Sequence, residues 1–423
     1  MKQPLHTSGT SGAGADRLWA HRDIRLVLPA RAVSYAGDSI AMVALILRVS
    51  GDGGSGDAGA TAAITALLLA FAVPTVVMIP FAGRIVDACD SRRVLIWASL
   101  LQAAAGVGLA LCHGLVATLG LVCLLQAGQA VAGPAWAALI PRIVGDDLVG
   151  RATGTSQALI GVATLAGSAA GGVLVGWSGD RVALLVDAST FLGLAVIARL
   201  VRTRRAPLPG APKERGGLTV GLRSLFADSL LQVLVPALWV FVLVGEAINV
   251  VEVFLIRNEI GLGPTGYGLV LAAQGAGAIA GAWWTGRLKT DLARSRAVLA
   301  GTAAIGASCV LMGLSGGVVP LMIGAVAVGC GGGMLNAATG TLVVTRSLDA
   351  VRGRVVAALS GTARACSLLA LLLGGVVGSL LGPRATFVVA GVLAVLAAAI
   401  TAGLLARRDV VRTKDSLVEA VSH

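Results

Sequence analysis

Gly83-Arg84-Ile85-Val86-Asp87-Ala88-Cys89-Asp90-Ser91-Arg92-Arg93 stands between two long apolar runs. A glycine, two carboxylates and three arginines crowd a turn too short to be a domain, so the charges must be held at the edge of something apolar. The chain around them has 423 residues, is 56% hydrophobic and 13% charged, and has a mean hydropathy of +0.88. A spanning helix needs about 20 mainly apolar residues to cross roughly 30 Å of hydrocarbon. Such runs fall at 24–49, 60–82, 94–112, 115–140, 152–176, 182–201, 230–256, 266–286, 297–314, 318–345, 354–380 and 385–406. The fold class expected is an all-α polytopic membrane protein with twelve transmembrane helices.

The charge pattern fits that reading. A net charge of +12 would suggest nucleic acid in a soluble protein, but here the basic residues are scattered between apolar runs and aromatics make up only 4%. Base stacking has little material, and no nucleic-acid partner is expected. Of the 33 Lys and Arg, only Arg48, Arg181, Arg257 and Arg384 fall on the side opposite the termini, and Arg31 and Arg364 lie inside spans. Basic residues collect on the cytoplasmic side, so both termini are expected there, in a multi-pass protein of the plasma (inner) membrane. Residues 1–23 read as a polar tail without a signal peptide, and 407–423 as a second tail. The longest connection, 202–228, carries Pro207, Pro209, Pro212 and a basic cluster. It reads as a cytoplasmic linker between six-helix bundles at 24–201 and 229–406, with binding of anionic lipid as its other reading. The six cysteines show no paired spacing and read as packing residues. A monomer is expected.

A repeat supports the division. Gly83-Arg84 and Gly286-Arg287, Gly150-Arg151 and Gly353-Arg354, Gly171-Gly172 and Gly374-Gly375, Gly179 and Gly382, and Arg181 and Arg384 all share an offset of 203. Several landmarks at one shift argue for two homologous halves, parallel because six spans is an even number. Substrate would sit between them near the bilayer midplane. At that shift Thr290 stands opposite Asp87, which makes any role of Asp87 specific to the first half.

The opening stretch resembles the signature loop between spans 2 and 3 of the major facilitator superfamily. Gly83, Asp87, Arg92, Arg93 and Val94-Leu95 match, whereas Asp90 replaces the usual second glycine and Ala88 the common arginine. Asp90 at that place resembles the macrolide-efflux and siderophore-exporter branch, as do Arg31-x-x-Ser34-x-x-Gly37-Asp38, the segment from Pro141-Arg142 to Gly150-Arg151-Ala152, and Asp187-x-Ser189-x-Phe191. In span 5, Gly154, Ala163, Gly167, Ser168, Gly171 and Gly172 resemble the superfamily's antiporter motif, with Ala163 for a glycine and Ser168 for the proline. Small residues at this spacing let two helix backbones approach closely. The resemblance implies gating roles for Gly83, Asp87, Arg92, Arg93, Gly167, Ser168, Gly171 and Gly172. Asp87 can pair with arginines or a helix N-terminus only when the cytoplasmic side is closed, and would then favour the outward-facing state.

Ionisable groups in hydrocarbon are costly and so are functional candidates. Arg31, Tyr35 and Asp38 share one face of span 1 by i, i+4, i+7 spacing, and Glu246 and Asn249 share a face of span 7, with Glu252 nearer its outer end. Arg364 lies in span 11. Carboxylates removed from water are suited to proton exchange or to meeting a cation, which singles out Asp38 and Glu246. Other readings pair Asp38 structurally with Arg31 or Arg364, and treat Asp187 as a satisfied structural carboxylate. Gln126, Gln129 and Trp136 in span 4 and Gln274 in span 8 could line a cavity or bond between helices. Trp283-Trp284 reads as an interfacial anchor.

A secondary transporter that exports an amphipathic organic compound (a drug, antibiotic or siderophore-like molecule) in exchange for protons is the leading expectation, export being implied by the resemblance. An importer or facilitator of a small polar solute is the alternative. No lysine sits in a G-x-x-x-x-G-K-[ST] loop, which excludes an ATP-driven pump of that kind. Asp87-x-x-Asp90, flanked by arginines, makes a poor Mg²⁺ site, so a polytopic enzyme is not expected. No cofactor or metal is expected; the partners expected are substrate, protons and lipid.

Overall fold

The computed structural model describes residues 18–52, 57–145, 148–203, 223, 226, 228, 230–346 and 352–421. Among them there is no strand. The helices are α1 (Arg22–Asp52), α2 (Asp57–Val77), α3 (Ile79–Ala88), α4 (Ser91–Leu111), α5 (Leu115–Val144), α6 (Val149–Leu200), α7 (Leu231–Phe254), α8 (Pro264–Thr285), α9 (Asp291–Leu314), α10 (Val318–Arg346) and α11 (Arg352–Val421). Apart from residues at their edges, all the apolar runs fall on these helices. Nine helical stretches in the described residues are long and apolar enough to cross a membrane. The 22-residue α8 lies outside those nine.

α6 and α11 each carry two apolar runs joined across a break. The breaks are Gly179 (φ 79°, ψ 170°) and Gly382 (φ 77°, ψ 172°), backbone that side-chain-bearing residues rarely adopt. These glycines are a repeat pair at the offset of 203, so the duplication extends to loop conformation.

The chain divides into two compact units. The first comprises Met1–Ala41, Pro74–Gly167 and Arg181–Ala211. In it α4 lies along α5, and a Cβ at Gly128 would stand 2.7 Å from Gln102 Cγ. A Cβ at Gly106 would stand 3.0 Å from the Cβ of Ala188, on the second arm of α6. Asp90 caps α4, accepting from the backbone N–H of Arg92 at 2.8 Å and of Arg93 at 3.3 Å.

The second unit comprises Met42–Val73, Ser168–Asp180 and Pro212–His423. α8 packs on α10, α7 on α11, and α9 on both α10 and α11. Leu231, Leu234, Leu238, Val298, Leu335 and Leu342 form a buried cluster. Elsewhere backbones touch: a Cβ at Gly301 would stand 2.7 Å from the carbonyl oxygen of Gly331, and one at Gly306 2.6 Å from that of Gly391. Lipid is as apolar as leucine, so close van der Waals contact of this kind, more than hydrophobic burial, holds such helices together.

Thr290 caps α9, its hydroxyl accepting from the Ala293 N–H at 3.2 Å. By cap position it therefore corresponds to Asp90, not to Asp87, and the strict 203 shift fails at this loop. The acidic residue that follows, Asp291, joins a charged cluster. Arg346 donates to Asp291 and to Asp228, each at 3.0 Å. Asp228 also accepts from the N–H groups of Leu230 at 2.9 Å and Leu231 at 3.0 Å.

Burial pushes the Asp228 carboxyl up, but the Leu231 N–H, the Arg346 guanidinium and the Leu230 N–H outweigh it and hold the group below its ordinary range. A lowered carboxyl contributes stability above its unfolded pKa and loses it as pH falls through the folded value. Arg346→Met should therefore lower stability in detergent at pH 7 by about 1–3 kcal/mol, the scale of a hydrogen bond to a charged group. Melting curves should show the gap to the wild type narrowing below about pH 4. A gap that does not depend on pH would place the loss in packing.

Candidate transport site

In the first unit Arg31, Tyr35 and Asp38 follow one another on α1. Arg31 Nη1 donates to Ser156 Oγ on the first arm of α6 at 3.4 Å, and its guanidinium lies 6.0 Å from the Tyr35 ring centroid. Asp38 is half-buried. Asp187 is 1% exposed, and among the described residues neither carboxylate oxygen accepts a hydrogen bond. The expectation of a satisfied structural carboxylate is thus corrected: the hydroxyls beside it, Ser189 and Thr190, donate to backbone carbonyls.

Gln129 accepts from Gln102 Nε2 on α4 at 3.1 Å. Gln102 is buried and was missed by the sequence reading, although an amide within the apolar run 94–112 was the available signal. Gln126 is half-buried, and Trp136 is 3% exposed, a core position.

The second unit holds two carboxylates on α7. Glu246 accepts from Ser367 Oγ on α11 at 2.7 Å and from Asn249 Nδ2 at 3.1 Å. Arg364 is exposed, one turn before Ser367. Glu252 is 3% exposed and accepts from Gln274 on α8. Glu252 was passed over because six residues of helix carry it off the Glu246 face. Its bond to Gln274 could be read only from the fold.

Of the gating candidates, Gly83 and Asp87 lie on α3, and their side chains fall outside the described ones. Arg92 donates to the carbonyl of Arg199 in the last turn of α6, where the helix dipole favours a cation. Arg93 is exposed and Gly171 buried. Gly167 meets the backbone of Ala36. In the second unit, a Cβ at Gly172 would stand 2.7 Å from the Cα of Gly268 and 2.7 Å from the carbonyl oxygen of Pro264. One at Gly268 would stand 2.8 Å from the carbonyl oxygen of Ser168. The small-residue run of the first arm of α6 therefore forms a backbone-to-backbone crossing with α8.

Residues 55–422 match the family described as transmembrane secretion effector, a division of the major facilitator superfamily. The chain belongs to this superfamily. It is a multi-pass membrane transporter and not an enzyme. It is 26% identical over 384 residues to the multidrug efflux pump Tap of Mycobacterium tuberculosis, covering 86% of this chain and 88% of Tap. It is 32% identical over 168 residues to the lysophospholipid transporter LplT of Yersinia pestis, covering 38% of this chain and 40% of LplT. Two solved superfamily structures share its fold. A bacterial homologue of the lysosomal transporter Spinster has a TM-score of 0.70 at 15% identity, covering 95% of this chain and 98% of the other. The peptide transporter PepTSo has a TM-score of 0.72 at 14% identity, covering 92% and 99%.

The α6–α8 crossing gives a direct test. Gly→Ala within a helix ordinarily stabilises by about 0.5–1 kcal/mol. Gly154→Ala, on the same arm with open space beside it, should follow that rule. Gly268→Ala should reverse the sign and destabilise by about 1–3 kcal/mol, because the atoms it meets are backbone and cannot rotate away. Thermal unfolding of both variants in one detergent checks the contrast.

Proposed function

We propose that this transporter exports amphipathic organic compounds in exchange for protons. The similarity to Tap over nearly the full length of both chains carries the reading. An apolar setting with a few convergent polar groups suits such compounds better than a sugar. The local similarity to LplT favours single-chain lipid amphiphiles as a second substrate class within the same reading.

Glu246 is the group assigned to coupling in the second half. It lies within the apolar run of α7 and is held by neutral donors, Ser367 and Asn249. An ionisable side chain inside an apolar helix is costly and marks a functional position. Asp38 is the corresponding candidate in the first half. Asn249, Gln274, Tyr35, Gln126 and Gln129 are assigned to substrate contact, and Arg31 and Arg364 to the electrostatics of the pathway. Asp87 with Gly83, Arg92 and Arg93 is assigned to conformational control, with 24–201 and 229–406 as the two six-helix bundles and 202–228 as the linker between them. Both termini are placed in the cytoplasm of a monomer in the plasma membrane.

Reconstituted protein under an imposed pH gradient should accumulate dyes, antibiotics or lysophospholipid against their own gradients while lumenal pH changes. Uphill accumulation that survives collapse of the gradient would falsify proton exchange. Glu246→Gln should reduce uphill accumulation to the level of empty liposomes while preserving downhill counterflow and a wild-type melting profile. Wild-type uphill transport in that variant would remove Glu246 from the mechanism.

A further inference from the structure

α8 ends at Thr285, and α9, one of the helices long and apolar enough to cross a membrane, begins at Asp291. The turn between them therefore stands at a membrane edge. Trp283 and Trp284, in the last turn of α8, are 63% and 48% exposed, so two adjacent indoles face outward there. The turn itself is fixed. Arg287 N–H donates to the Trp284 carbonyl at 3.2 Å, and Leu288 N–H to that of Thr285 at 3.0 Å. Leu288 packs against the buried cluster of Leu231, Leu234 and Leu335, whereas its two neighbours, Arg287 and Lys289, are exposed.

The Arg287 guanidinium lies 3.4 Å over the Trp283 ring, the separation of two stacked planes. Stacking uses the face of the guanidinium and leaves N–H donors on its edge for an anion. Lys289 follows two residues later, so the two backbone positions lie within about 7 Å of each other, and both long side chains can reach one anion. The acidic residue of the turn does not neutralise them. Asp291 is already bonded by Arg346 Nε at 3.0 Å and by Arg294 Nη1 at 3.2 Å. Among the described residues the ion pairs take in Arg48, Arg294, Arg346 and Arg384 but neither Arg287 nor Lys289.

We propose that the turn between α8 and α9 is a binding site for an anionic phospholipid headgroup, its phosphodiester held by Arg287 and Lys289 and its glycerol region by Trp283 and Trp284. A guanidinium fork matches the oxygens of a phosphodiester, and basic residues beside a span attract anionic lipid. The exposed indoles favour a lipid over free phosphate, because such rings settle at the level of the headgroups. Topology alone does not ask for this arrangement. At the offset of 203, Pro80, Phe81, Arg84 and Val86 stand opposite Trp283, Trp284, Arg287 and Lys289. The first half thus keeps one arginine and lacks both indoles and the second cation. The site stands independently of the proton-exchange reading.

The test uses the purified full chain in phosphatidylcholine vesicles that carry a small fraction of bromine-labelled lipid, which quenches tryptophan fluorescence on contact. Labelled phosphatidylglycerol should quench the wild type at a lower fraction than labelled phosphatidylcholine does. Arg287→Gln with Lys289→Gln should weaken that preference by about 25-fold, roughly fivefold for each basic residue near anionic lipid. Should the pair fail to fold, Lys289→Gln alone decides with a loss of about fivefold. Trp283→Phe with Trp284→Phe should remove the excess quenching. Arg84→Gln, which takes the same charge from the equivalent loop, should leave it unchanged. Equal quenching of the wild type by both lipids overturns the proposal, and so does an excess that survives in the Arg287/Lys289 or the tryptophan variants. A fall as large in Arg84→Gln would reduce the effect to net charge and overturn it as well. Millimolar inorganic phosphate should leave the excess in place; its loss would assign the turn to free phosphate instead of lipid.

Discussion

At Gly172 and Gly268 two helix backbones meet so closely that neither position has room for a methyl group. The rest of the structure depends on contacts of this kind. Lipid offers no hydrophobic reason for one apolar helix to seek another, so association comes from dispersion between close surfaces and from a few hydrogen bonds. The Gly301–Gly331 and Gly306–Gly391 crossings repeat the arrangement. Side chains turned away from these crossings are large and apolar: Trp97, Val116 and Leu380 are all highly exposed. In a water-soluble protein those residues would form the core.

The same constraint decides where charge can sit. The arginines read from sequence as lying opposite the termini are few, and three of them are tied to partners: Arg48 to Asp180, Arg257 to Ser50 at 3.2 Å, and Arg384 to Glu259 at 2.8 Å. Their partners give these three a structural role. At the other end of the scale Arg287 stacks 3.4 Å over the Trp283 ring, a cation and an amphipathic aromatic sharing the anchor expected of Trp283-Trp284.

Helices and the duplicated breaks were legible in the sequence, because each depends on local composition: an apolar run or a glycine at one offset. Arg31, Tyr35 and Asp38 on one face were legible too, since helical periodicity is local. Partnerships were not. That Arg31 reaches Ser156, Glu246 reaches Ser367 and Arg92 reaches the end of α6 depends on which helices become neighbours across intervals of 125, 121 and 107 residues. Asp90, a departure from the family signature when read alone, becomes intelligible as the cap of α4. A glycine there would leave the Arg92 and Arg93 N–H groups without a side-chain acceptor.

The polar groups also break the symmetry that the breaks at Gly179 and Gly382 keep. At the offset of 203, Asp38 faces Phe241, Asp187 faces Ala390, Glu246 faces Val43 and Glu252 faces Val49. Duplication preserves the breaks at Gly179 and Gly382, whereas the crossing glycines Gly268, Gly301, Gly306 and Gly391 stand opposite Thr65, Ala98, Ala103 and Ala188, residues that are still small. A buried carboxylate is costly in each copy and useful only where a partner or a proton offsets it, so a second copy is lost unless it has work of its own. The scaffold of this protein can therefore be read from either half, but its chemistry must be read in each half separately.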